Sequence, residues 1–205
     1  MSLEDEKRAA AEAAAELVED GMLVGLGTGS TVAHLLPALA RRGLRTIRCV
    51  ATSDATEAQA RQLGLPVEPF EQLDRLDIAI DGADQVTPDQ WLVKGGGGAH
   101  TREKIVAAAA ERFVVIVSSD KLVDALRPPV PLELFGFGLA ATLRALRPVT
   151  PRGGALSPDG GVIADYYGDI ADPARLAVRL STTAGVVDHG LFPPELVSEV
   201  VVGRA

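Results

Sequence analysis

Short apolar runs alternate along this chain with longer stretches in which apolar residues recur every third or fourth position. The runs read as strands buried on both faces, and the longer stretches as helices with one covered stripe. An alanine-rich helix is predicted over Leu3–Glu19, then Gly21 and a strand over Met22–Leu26. The pattern repeats with helix Val32–Arg42, strand Ile47–Ala51, helix Ala55–Leu63 closed by Gly64, and strand Asp77–Ile80. After a turn at Pro88 come Trp91–Lys94, a glycine run, helix Thr101–Glu111 and strand Phe113–Val117. Strands alternating with helices build a parallel sheet covered on both faces, whose ligands gather at the carboxyl ends of the strands.

The texture changes at Arg127. The sequence Pro128-Pro129-Val130-Pro131 marks a boundary. Beyond it the pattern predicts strand Leu132–Phe135, helix Leu139–Leu146, a hairpin around Ser157–Gly161, helix Pro173–Leu180 and strand Val186–Val187. The expected division is an α/β domain over residues 1–126, a small α+β domain over 127–195, and a return of 196–205 to the first sheet.

Composition narrows the class. With 205 residues, 47% of them hydrophobic, the chain can fill a sizeable core. A formal net charge of -8 argues against nucleic acid or an anionic membrane as partner. The first twenty residues are acidic and helical rather than basic and then apolar, and no apolar run approaches the roughly 18 residues that would span a bilayer. The lone Cys49 lies in the apolar context Ile47–Ala51 and reads as a buried strand residue. These features lead to the expectation of a cytoplasmic protein. Of the twenty basic residues only Lys7, Lys94, Lys104 and Lys121 are lysines, which draws attention to Lys94 before the glycines and Lys121 after a strand.

Three stretches carry candidate chemistry. Gly25-Leu26-Gly27-Thr28-Gly29-Ser30-Thr31 is a glycine-rich turn from strand to helix with hydroxyls at the helix start, suited to a phosphate. It lacks the third glycine of the dinucleotide fingerprint and the lysine of the Walker loop, so neither NAD nor ATP is favoured. Read structurally, it is a tight turn with Ser30 or Thr31 as N-cap. Asp81-Gly82-Ala83-Asp84 puts two carboxylates at the end of a buried strand, where they face a cleft or are bound into turns and ion pairs. Lys94-Gly95-Gly96-Gly97-Gly98 leads into Thr101-Arg102-Glu103-Lys104, where Glu103 is either a first-turn acid favoured by the helix dipole or a general base. His34, His100 and His189 are scattered without a repeated ligand spacing, so no metal is assigned. Phosphate cradle, carboxylate, lysine and bare peptide N–H groups together suit proton transfer beside the carbonyl of a phosphorylated sugar, through an enediolate.

The blocks GLGTGST, TSDAT, DGADQV, KGGGGAHTREKI, PVPLEL and GVVDHGLF resemble, in order, the signature blocks of the A-type ribose-5-phosphate isomerases. The resemblance runs nearly end to end. It implies a Rossmann-like domain with a smaller ferredoxin-like α+β domain, a homodimer, no cofactor, and interconversion of ribose 5-phosphate and ribulose 5-phosphate. By position it makes Glu103 the base and Asp81 the acid/base for ring opening, while the residue reading itself makes Lys94, across the glycines from Glu103, the catalytic electrophile. Thr28, Gly29, Ser30 and Thr31, then Asp81, Gly82, Ala83 and Asp84, then Lys94, Gly95, Gly96 and Gly97 line the substrate, joined by Lys121 and, on a looser match, Lys7. Gly98, where relatives often carry alanine, is expected to tolerate a methyl group. Two departures stand out: Asp120 sits directly before Lys121, and Phe135–Gly138 lacks the family's proline. The alternatives are an aminosugar-phosphate deaminase or lactonase of similar architecture, with His100 near the loop, and a non-catalytic phosphosugar sensor.

Overall fold

The computed structural model describes residues 2–203, so Arg204 and Ala205 of the expected returning segment lie outside the described residues. Helix α1 (Leu3–Ala15) opens with a capping box, in which Ser2 and Asp5 satisfy each other's backbone N–H groups. It ends four residues short of the sequence expectation, because Arg42 Nη1 donates to the carbonyls of Ala15 and Val18 and the chain tightens into a turn. Then follow β1 (Leu23–Leu26), α2 (Val32–Arg42), β2 (Arg48–Ala51), α3 (Asp54–Gln62) and β3 (Leu76–Asp81). After the short strands β4 (Gln85–Val86) and β5 (Leu92–Val93) come α4 (His100–Ala109) and β6 (Ala110–Val117). The remainder is β7 (Val130–Leu134), α5 (Leu139–Ala145), β8 (Val149–Leu156), β9 (Val162–Tyr166), α6 (Pro173–Ser181), β10 (Val186–His189), β11 (Leu191–Phe192) and β12 (Glu199–Val202).

The chain divides into two compact units. The first, up to Ala83 with Arg102–Lys121 and the chain from Glu195, holds an all-parallel sheet of order β12-β6-β3-β1-β2. Its core includes Val24, Leu26, Leu36, Ile78, Ile80 and Ile116, with the buried alanines Ala10, Ala11, Ala14 and Ala15 letting α1 approach closely. The order reverses between β1 and β3: after β1 the chain moves outward to β2, and after β3 it moves the other way to β6. That is the switch point at which open α/β sheets leave a crevice beyond their strand ends. The sequence motifs Gly27–Thr31 and Asp81–Gly82 begin at these two strand ends.

The second unit comprises Asp84–Thr101 and Leu122–Pro194. Its antiparallel sheet has the order β10-β7-β9-β8, and with α5 and α6 it traces the β-α-β-β-α-β path of a ferredoxin-like fold. Leu132, Leu134, Ala164, Leu176 and Leu180 fill its core. The boundaries differ from the division read off the sequence, since residues 84–101 belong here rather than with the first unit. The physical reason is a separate three-stranded sheet, β11-β5-β4, in which Val93 pairs with both Gln85 and Leu191. No helix among the described residues is long and apolar enough to cross a membrane.

Candidate active site

In the first unit the glycines of the Gly25–Thr31 turn serve three different ends. A β-carbon on Gly25 would lie 2.5 Å from Val106 Cγ1, so this glycine lets α4 pack on β1. One on Gly27 would lie 1.9 Å from Asp81 Cγ. Gly29 adopts φ +126° with nothing within 4 Å of its would-be β-carbon, so here the backbone angle sets the residue type. Thr31 sits at the N-cap of α2, as the structural reading expects, but makes no side-chain capping bond. Gly29 and Ser30 are exposed, and Thr31 is half-buried.

Thr28 is bound into the fold at both its donors. Its N–H donates to Asp81 Oδ1 at 3.0 Å, and its hydroxyl meets Thr52 Oγ1 and Ser53 Oγ, each at 2.8 Å. Ser53 caps α3 by accepting from Thr56 N, and Thr56 Oγ1 donates to Gly27 O at 2.9 Å. The TSDAT block thus holds the phosphate-type turn in shape through hydroxyls. Thr52, Ser53 and Thr56 received no role from the sequence alone, although their run of hydroxyls at a strand end was a readable signal. Asp81 is 3% exposed, and its Oδ1 accepts a second N–H, from Gly82, at 2.7 Å.

Glu103 is 6% exposed on the first turn of α4, and its neighbour Arg102 pairs with Asp54 at 3.5 Å. Lys121 lies in the 3₁₀ turn Ser119–Lys121 with Nζ 3.0 Å from Asp120 Oδ2. Burial pushes the Asp120 carboxyl up, but the Ser118 hydroxyl at 2.5 Å and the Lys121 ammonium outweigh it and hold the group below its ordinary value. The departure at Asp120 therefore gives Lys121 a partner from its own turn. Glu6 accepts from Ser119 N at 2.6 Å, and the hydrogen bonds of Ser119 keep its carboxyl below the usual range. Lys7 is paired with Glu4 at 3.3 Å, and Glu4 also meets His34 Nε2 at 2.6 Å.

In the second unit the glycine run is anchored from several sides. Lys94 is 3% exposed, with its ammonium 5.5 Å from the centroid of the Phe192 ring. Its N–H donates to Gly190 O at 2.8 Å, and a β-carbon on Gly190 would lie 2.1 Å from Lys94 O. The block GVVDHGLF thus supplies both the glycine that lets the chain pass Lys94 and the ring beside its charge. Gly96 N donates to Asp84 Oδ2 at 2.8 Å, and Gly98 N to Gly95 O at 3.0 Å. So the four amides are not equivalent donors: those of Gly96 and Gly98 are taken up, those of Gly95 and Gly97 have no acceptor among the described residues, and of the four Gly96 and Gly97 are the exposed pair. Gly98 corrects the sequence expectation, because its φ of +77° strains any β-carbon and Ile163 would lie 3.2 Å away. Gly97 has the open space instead. His100 is fully buried under the run, with Nδ1 2.6 Å from where a Gly95 β-carbon would stand. Thr101 donates its hydroxyl to the buried Glu133, which also accepts from Ser157 Oγ at 2.5 Å. Among the described residues no group of three or more His, Cys, Asp or Glu side chains could hold a metal ion.

The model of the ribose 5-phosphate isomerase A (phosphoriboisomerase A) family matches residues 48–205. The chain belongs to this family. It is 46% identical to the ribose-5-phosphate isomerase A of Caulobacter vibrioides (strain NA1000 / CB15N) over 99% of this chain and 96% of that one. A ribose 5-phosphate isomerase A structure from Neisseria gonorrhoeae superposes with a TM-score of 0.95 at 32% identity, covering 99% of this chain and 94% of that one. A D-ribose-5-phosphate isomerase in complex with phospho-erythronic acid gives 0.93 at 34% identity, over 99% and 96% of the two chains. In this member of the ribose-5-phosphate isomerase A family the glycine turn follows β1, Asp81 ends β3, the lysine–glycine run follows β5 and Glu103 lies on α4.

Proposed function

We propose that Glu103 carries the proton between C1 and C2 as this ribose-5-phosphate isomerase interconverts ribose 5-phosphate and ribulose 5-phosphate. The observation that carries the assignment is a buried carboxylate on the first turn of a regular helix, in a chain of this family. A carboxylate held by a helix and sheltered from water suits a positioned base. Asp81 assists opening of the furanose ring, moving a proton between the ring oxygen and the C1 hydroxyl. Glu103 then takes the proton from C2, and the C2–H electrons form the C1–C2 double bond while O1 becomes negative. Lys94 and the Gly97 amide stabilise that charge. O1 gains a proton, O2 gives one up, and Glu103 returns its proton to C1, leaving the ketose.

The phosphate is held by Gly29, Ser30 and Thr31 at the start of α2, where free N–H groups and the helix dipole favour an anion. Lys7 and Lys121 add positive charge. Thr28, Gly82, Ala83 and Asp84 shape the substrate walls, with Asp84 ordering Gly96. Gly95 and Gly96 bring peptide groups close to the sugar where a β-carbon would intrude. A sugar-phosphate analogue bound to a similar isomerase supports this reading. The protein works as a homodimer in the cytoplasm, within the non-oxidative interconversion of pentose phosphates. An assay coupled to ribulose 5-phosphate formation tests the reaction. Turnover of ribose 5-phosphate is expected, unchanged after exhaustive chelation because the chain's own residues supply every charge invoked. Loss of activity restored by a divalent ion would contradict that.

A further inference from the structure

Arg152 belongs to none of the motifs above, yet it makes four hydrogen bonds within the second unit. Its Nε and Nη2 donate to the two oxygens of Asp165 at 2.8 and 2.7 Å, a two-pronged pair that fixes the guanidinium plane. Its remaining reach goes to the glycine run: Nη1 donates to Gly95 O at 3.0 Å and to Gly96 O at 2.9 Å. The placement is built into the sheet. Pro151 pairs with Ala164 and the next pair is Leu156 with Val162, so the register between β8 and β9 breaks at Arg152. Such an irregularity re-aims a side chain that a regular ladder would point elsewhere. The hydrogen bonds it donates to Asp165 hold the guanidinium more firmly charged than usual.

In a trans peptide the C=O and N–H point in opposite directions. Fixing the Gly95 carbonyl on Arg152 therefore turns the Gly96 N–H the other way, where it meets Asp84 Oδ2. Fixing the Gly96 carbonyl does the same for the N–H of Gly97, an exposed residue. We propose that Arg152 is a positioning residue of the isomerase, clamping the Gly95 and Gly96 carbonyls so that the Gly96 and Gly97 N–H groups face away from it. The clamp rests on the reading of the Gly97 amide as a donor to the reacting oxygen. Glycines have no side chains with which to hold such an orientation, and a fixed guanidinium supplies it from outside.

The test compares wild type, Arg152→Met and Arg152→Lys, using kinetics with ribose 5-phosphate and amide exchange over residues 94–98. Misplaced donors are expected to lower kcat by about 10-fold to 100-fold with KM little changed. Exchange of the glycine run should rise while exchange elsewhere in the second unit holds. Added guanidinium ion should restore part of the activity of Arg152→Met, an effect that general destabilisation would not give. Lysine cannot grip Asp165 in two places and reach both carbonyls, so Arg152→Lys, the variant to rely on if Arg152→Met does not fold, should also lose turnover. A folded variant with wild-type kcat, or a loss of kcat accompanied by unchanged exchange or by exchange rising throughout the unit, would overturn the clamp. If wild type failed to turn over ribose 5-phosphate, the functional reading would fall, and the exchange measurement would still decide whether Arg152 holds the loop.

Discussion

At the scale of single residues, the glycines divide into those that a neighbour forbids from growing and those that only a backbone angle requires. Gly27 is the sharpest of the first kind, since its β-carbon would occupy the place of Asp81. Gly27→Ala is expected to cost about 3 kcal/mol or more in a denaturant titration and to displace the carboxylate. Gly97→Ala, with open space and ordinary φ, should cost less than about 1 kcal/mol. Cys49 gives a pH-dependent counterpart. Burial first, and the nearby Glu68 charge second, push its thiol from 9.0 up to about 12. Below about pH 9 the thiol is neutral in both folded and unfolded chains and the stability it permits is fully present. As pH rises from there toward 12 the unfolded thiol ionises and the folded one does not, so stability falls by ~1.4 kcal/mol per pH unit. Denaturation of wild type and Cys49→Ala at neutral and alkaline pH checks this: the alkaline loss should shrink in the variant.

At the scale of elements, the helices were the most legible. The 3.6-residue period over Val32–Arg42 returns the bounds of α2, and Asp172 before Pro173 marks the start of α6 by accepting from Arg175 N. Strands β4 and β11, two residues each, carry no period long enough to read; they exist because β5 lies between them. Glycine, aspartate and lysine motifs were readable because each lies within a few residues of a strand or helix end. Arg152 and Glu133 were not, because their partners lie in other elements and only the small sheet unites them. Glu133 stands in the middle of β7 and accepts hydroxyls from Thr101 on α4 and Ser157 after β8. Glu133→Ala is expected to leave both hydroxyls unpaired and to lower stability by about 2–4 kcal/mol. Glu133→Gln, which keeps an acceptor there, should lose much less; equal losses would show that burial rather than hydrogen bonding decides.

At the scale of the whole molecule, a parallel sheet with its order reversed between β1 and β3 places the glycine turn and the aspartate turn on adjacent strands, where Thr28 N–H and Asp81 join them. The ferredoxin-like unit, taken by itself, carries the lysine, the glycine run and the supports of both. The division of the chain was the part least open to sequence reasoning, since residues 84–101 join the second unit through pairing with β11, about a hundred residues further on. The central event of the proposed reaction is the passage of a proton through Glu103. The most direct test is Glu103→Gln, assayed for turnover of ribose 5-phosphate and for uptake of solvent deuterium into the sugar. The account predicts a folded protein that still binds the phosphosugar, with turnover and deuterium uptake falling together by roughly 10²-fold to 10⁴-fold. Near wild-type turnover in that variant would contradict it.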